Sequence, residues 1–166
     1  MARARKRPGL DWGLRFVLAA AGFLPLGTVL GLALAFDLLS GPRVALAYAV
    51  LVLGGWASLS IVGMMLKIVP FLVWYRVYCP QVGRTPVPTL AALGWPAAEA
   101  MAWVLLTGGI LALALAAASG RADFIAVPGV ALATGALAFA ASLGHTLLQL
   151  ARRPSTRATE TEALAR

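Results

Sequence analysis

One cysteine, one histidine and six acidic residues are all that this 166-residue chain supplies for redox, metal or acid-base chemistry. With Cys79 alone, a disulfide within the chain is impossible, and Cys79 with His145 falls short of the ligands a zinc site requires. Paired carboxylates, a Ser-His-Asp arrangement and a glycine-rich phosphate loop are also missing, so no catalytic residue and no metal site is expected, and the chain reads as a non-enzyme. Charge is scarce as well. Lys, Arg, Asp and Glu make up 12% of the residues, against about 25% in a soluble domain. No stretch alternates with the period of a strand, which argues against a transmembrane barrel.

What the chain has is apolar length. Hydrophobic residues are 61% of the total and the mean hydropathy is +0.87. Four long apolar stretches, residues 16–36, 44–75, 97–118 and 124–150, are separated by charged or Pro/Gly-rich punctuation, and each meets the roughly 20 residues a helical span needs. The expected fold is an all-α integral membrane protein, a four-helix transmembrane bundle over residues 16–150. The second stretch would reach about 48 Å as a helix, beyond the roughly 30 Å hydrocarbon core, so it must tilt, kink or project. The first stretch follows Arg3, Arg5, Lys6 and Arg7 as a signal peptide would. It exceeds the length of a signal h-region and is read as a retained helix.

The positive residues predict orientation. The basic arm 1–15, the loop 76–96 and the tail 151–166 carry most of the Lys and Arg, whereas only Arg43 and Arg121 fall at the opposite ends of the spans. Both termini and the loop are therefore expected in the cytoplasm. The net charge of +8 fits anionic lipid headgroups and calls for no nucleic acid. Trp12, Trp74, Tyr75, Tyr78 and Trp95 fall near the same boundaries, where amphipathic rings settle. Pro80, Gly83, Pro86 and Pro88 predict an irregular loop lying along the membrane surface. The tail, with few large apolar residues, is expected to be disordered.

Small residues predict how the helices pack, because in lipid close backbone approach replaces the hydrophobic effect. Gly27 and Gly31 form a GxxxG in the first span; Gly63 and Gly135 are small positions in the second and fourth. A tight bundle is the ordinary reading, and a dimer through the GxxxG face the alternative. Pro25, Pro70 and Pro128 are expected to bend their spans. Ser58, Ser60 and Thr134 read as links between helices.

The polar residues inside the membrane are few. Lys67 lies well within the second span, and an ammonium in hydrocarbon costs at least about 2.5 to 3.5 kcal/mol, so it needs a partner, water or a route to the headgroups. Glu99, which opens the third span from the same side, is the expected partner; a proton or ion path is the functional alternative. His145 lies at a similar depth in the fourth span, with Thr146 and Gln149 after it, and is expected to be a hydrogen-bonded residue of the bundle interior. Tyr48 is the polar residue of the outer half.

The run from Gly55 to Arg84, GWASLSIVGMMLKIVPFLVWYRVYCPQVGR, resembles a segment of bacterial membrane proteins related to haem-copper oxidase subunit I, including the NnrS-like haem and copper proteins. The likeness lies chiefly in Gly63 to Trp74. Relatives of that kind carry a His-x-His upstream, where this chain has Tyr48 and Val50, so the metal ligands are missing. The resemblance implies a non-catalytic membrane subunit or scaffold in the bacterial cytoplasmic (inner) membrane. It would be associated with a respiratory or other electron-transfer complex, with other membrane subunits or a homo-oligomer as partners. A haem is possible through His145, which alone supplies one axial ligand, or through a contact from Lys67. The rival from another class is a small oligomeric transporter or channel that uses Lys67 and Glu99.

Overall fold

The computed structural model describes residues 10–79, 89–90 and 93–151. The basic arm to residue 9, the proline-rich part of the loop and the tail from residue 152 lie outside the described residues. Among those described there is no strand. Four helices are long and apolar enough to cross a membrane, and the chain is a multi-pass membrane protein. The elements are α1 (Trp12–Ala35), α2 (Pro42–Ala49), a π-helical segment (Val50–Ser58), α3 (Leu59–Tyr78), α4 (Pro96–Ser119) and α5 (Ala126–Ala151). α2, the π segment and α3 run on as one helix of 37 residues.

Each helix starts where local chemistry allows. α1 begins earlier than the apolar run alone predicts, because the Arg15 guanidinium lies 4.1 Å over the Trp12 ring and its Nε donates to the Leu10 carbonyl. A charge in the first turn is thereby drawn back along the helix. Pro42 and Pro96 open α2 and α4, positions where a missing N–H costs nothing. Pro128 falls in the first turn of α5, and the first N–H to find its usual acceptor is that of Gly129, on Ile125. It therefore starts the helix rather than bending it. Pro25 and Pro70 do lie inside helices.

The spans run up and down in sequence, so Leu10 and Ala151 share one end with the long connection after α3. Two short turns, after α1 and after α4, close the other. The core joins Phe16, Ala20 and Phe23 of α1 to Leu51, Leu59, Ala102, Ile110, Ala114 and Ala138. Gly27 and Gly31 of the first span meet residues of the same chain. Gly27 faces Val52, and Gly31 lies under the Tyr48 ring, so the GxxxG face packs on α2 and the π segment. Gly135 receives Leu105 and Leu106 in the same way. Gly55, within the π segment, makes room for the Phe23 ring: a Cβ there would stand 2.5 Å from Phe23 Cγ.

Three hydroxyls expected to bridge helices bond their own backbone instead. Ser58 donates to the carbonyl of Leu53, Ser60 to Trp56 and Thr134 to Val130. A short side chain on a helix reaches the preceding turn more readily than a neighbour. The Ser58 bond spans five residues, the step of a π-helix.

The contact that positions the candidate site is between backbones. Gly13 and Gly63 face each other so closely that a Cβ on Gly63 would lie 2.7 Å from the Gly13 carbonyl oxygen. α1 thus starts level with Gly63, whereas α3 continues to Tyr78, about 22 Å further. In that overhang Val73 and Val77 pack with Leu93 from the connection. The second span projects, as its length requires, and α1 is recessed beside it.

Candidate functional site

Where α1 stops short, a cleft of about 840 Å³ opens between α3 and the start of α4. Its polar groups are Asp11, Arg15, Lys67 and Glu99, and its apolar walls include Trp12, Leu66, Ile68, Phe71 and Leu90. Lys67 and Glu99 therefore share a cavity, as their depths predict, but they are not paired. Lys67 Nζ lies 3.7 Å from Asp11 Oδ2, and the two side chains are 46% and 63% exposed. The Gly13–Gly63 contact is the reason: it brings the residue before α1 beside Lys67, closer than α4 can come.

Glu99 is held by its own helix and by α5. Its Oε1 accepts from the Trp95 backbone N–H at 3.2 Å and from Ser142 Oγ at 3.1 Å. The first is a carboxylate reaching back to the residue that caps its helix, as in a capping box. Gly94 beside it has no side chain, and a Cβ there would lie 2.8 Å from Oε1. Both bonds fall on one oxygen, which leaves Oε2 without a donor among the described residues. The indole of Trp103 donates to the Arg15 carbonyl at 3.2 Å and sets α4 level with the first turn of α1.

Thr146 and Gln149 dock the connection. Both donate to the Leu93 carbonyl at 3.3 Å, and Leu93 is buried. His145 takes no part in this. Ser142 and Thr146 occupy the covered strip of α5, and His145, about 100° round the helix from Thr146, is exposed, its ring tilted against Trp95 at 5.9 Å. The expectation of an interior histidine is corrected accordingly. His145 does not line the cleft that holds Lys67 and Glu99. Tyr48 sits at the far end of the bundle over Gly31. Cys79, at the end of α3, is exposed and unpaired.

The cleft lies at one of two charged levels of the bundle. At 1.5 Å per residue, Asp11 is about 39 Å from Asp37 along α1, and Glu99 about 33 Å from Arg121 along α4. Asp37, Arg43, Arg121 and Asp123 cluster at the turn end, and Asp11, Arg15, Lys67 and Glu99 at the loop end. The two charged levels stand a little more than a hydrocarbon thickness apart. Counted from Tyr75, Lys67 lies about 12 Å into the helix; counted from the recessed start of α1, it stands at the charged level.

Two features escape a reading of the sequence alone. Asp11 stands just before an apolar run, the place of an N-cap residue, and that was the available signal for it. Thr107 in mid-α4 has a buried hydroxyl oxygen with no partner among the described residues, which nothing in its neighbours announces. Among the described residues no three of His, Cys, Asp and Glu gather as metal ligands. No family model matches the chain, and no curated protein or solved structure matches it either. Fold and site define a four-span membrane protein with one open, charged end.

Proposed function

We propose that the protein is a non-catalytic subunit or scaffold of the bacterial cytoplasmic membrane, associated with a respiratory or other electron-transfer complex, with both termini in the cytoplasm. The observation that carries this reading is the overhang of α3. Ile68, Phe71, Leu72 and Tyr75 recur at helical spacing along it and are all at least half exposed. Together they form an apolar stripe that begins at the charged level of the bundle, and its outer part, Leu72 and Tyr75, stands where lipid tails cover it least and another membrane protein covers it best. The electron-transfer assignment rests on the resemblance of the same segment. His145, exposed at this end, would meet a haem only from outside the bundle, on a partner.

The transporter reading has in its favour that Lys67 and Glu99 line one cleft. It is the weaker, because the core between the two charged levels is built on Phe16, Phe23, Leu51, Leu59 and Ile110, and the outer half has Tyr48, Ser58 and Ser60 but no embedded charge. The test is gentle detergent purification from native membranes, with a reduced-minus-oxidised spectrum and protein identification on the same sample. Stoichiometric haem with cytochrome or oxidase subunits is expected, and photo-crosslinks from Phe71 or Tyr75 should fall on those subunits. A colourless homo-oligomer would sink the reading. Labelling of Cys79 by a membrane-impermeant thiol reagent from the cytoplasmic face alone checks the orientation; labelling from outside overturns it.

A further inference from the structure

The cleft has a charge pattern that a structural ion pair does not need. Among the described residues it holds two cations, Arg15 and Lys67, and two acids, Asp11 and Glu99, whose formal charges balance. An anionic ligand would meet both acids and a cationic one both bases. A zwitterion with a separated phosphate and ammonium complements all four.

The hydrogen-bonding capacity left over agrees. Lys67 and Asp11 at 3.7 Å are beyond hydrogen-bond range, so the ammonium has donors to give. Arg15 uses Nε on Leu10 and its ring-facing surface on Trp12, which leaves the terminal amines. Glu99 Oε2 needs an N–H donor. A primary ammonium supplies three, whereas a quaternary one supplies none. The apolar wall then continues out of the cleft through Ile68 and Phe71, both half exposed, onto the lipid-facing side of α3. A volume of about 840 Å³ lies within the usual range for a small-molecule site.

We propose that the cleft binds one bilayer phospholipid with a phosphoethanolamine headgroup. Its phosphate lies between Lys67 and Arg15, its ammonium on Glu99, and its chains run over Ile68 and Phe71. This rests on the cleft alone and not on the partnership proposed above.

The test is native mass spectrometry of the delipidated protein titrated with phosphatidylethanolamine, phosphatidylcholine and phosphatidylglycerol of identical chains. The first phosphatidylethanolamine should bind at least about fivefold more tightly than either of the others. In Glu99→Gln, which keeps an acceptor for Trp95 and Ser142, that preference over phosphatidylcholine should fall to within about twofold. Ile68→Trp, at a half-exposed position that leaves the charged groups untouched, should weaken binding by narrowing the mouth. Equal binding of the three lipids, tightest binding of phosphatidylglycerol, or a preference that survives Glu99→Gln together with undiminished binding to Ile68→Trp would overturn the proposal. The last would place the lipid on the bundle's perimeter.

Discussion

The two ends of the bundle solve the same problem in opposite ways. At the turn end the chain closes on itself. Phe36 and Leu38 donate back to Leu32 and Ala33, Gly120 caps α4 with a φ of 68° and a bond to Ala117, and the Arg43 guanidinium lies over that glycine. At the loop end α1 stops about 22 Å short of α3, and the charged groups stand around an open cleft. A bilayer requires every backbone group to be satisfied within the structure, and short turns do that with little room to spare. Both ends carry charged groups, but those of the open end, Asp11, Arg15, Lys67 and Glu99, line a cavity.

The recess of α1 depends on one crossing, and breaking it should have the largest effect. Gly63→Leu would drive a side chain against the Gly13 carbonyl, Val17 and Phe16. These are not flexible side-chain tips, so the helices must part. A loss of about 3 kcal/mol, the upper part of the range for overpacking, is expected, seen as a lower melting midpoint and less monodisperse protein. An unchanged midpoint would mean that α1 and α3 do not meet in this register, and the cleft would lose its floor.

At the closed end Gly120→Val tests whether the tight turn matters as much as its geometry implies. A β-branched residue at positive φ costs on the order of 1–3 kcal/mol, and the Arg43 guanidinium would have to leave, since a Cβ would stand 2.5 Å from it. Thermal melting should fall by less than in Gly63→Leu but clearly. No change would show that this end is looser than its bonds suggest.

The contrast between the ends also marks what the sequence makes legible. Span number follows from apolar length, which lipid enforces on every helix alike. Which residues meet does not, because it depends on register between helices. Lys67 is linked to Glu99 by topology, yet the missing Cβ atoms of Gly13 and Gly63 slide α1 against α3 and deliver Asp11 instead. The π segment is hidden for a related reason: Gly54 and Gly55 read as ordinary small packing residues, and only the Phe23 ring explains why the backbone widens beside them. His145 sits at the predicted depth but on the flank of α5, since depth is set by counting and facing by which neighbours happen to cover the helix.

The smallest effect belongs to the residue that draws the eye first. Lys67→Met removes a charge from the middle of an apolar run, where a buried ammonium would be a strong stability determinant. Its surroundings argue otherwise. The Lys67–Asp11 pair is about half exposed, and pairs of that kind, where water or headgroups reach them, contribute about 0–1 kcal/mol. Lys67 Cγ also packs against Gly13, and methionine keeps that stem. The melting midpoint should therefore stay within about 1 kcal/mol of the parent, well above Gly120→Val. A loss of several kcal/mol, the cost of leaving one member of a buried pair uncompensated, would mean that lipid rather than water and headgroups surrounds Asp11. The open end would then lie inside the bilayer, and the two ends would differ in shape but not in solvent.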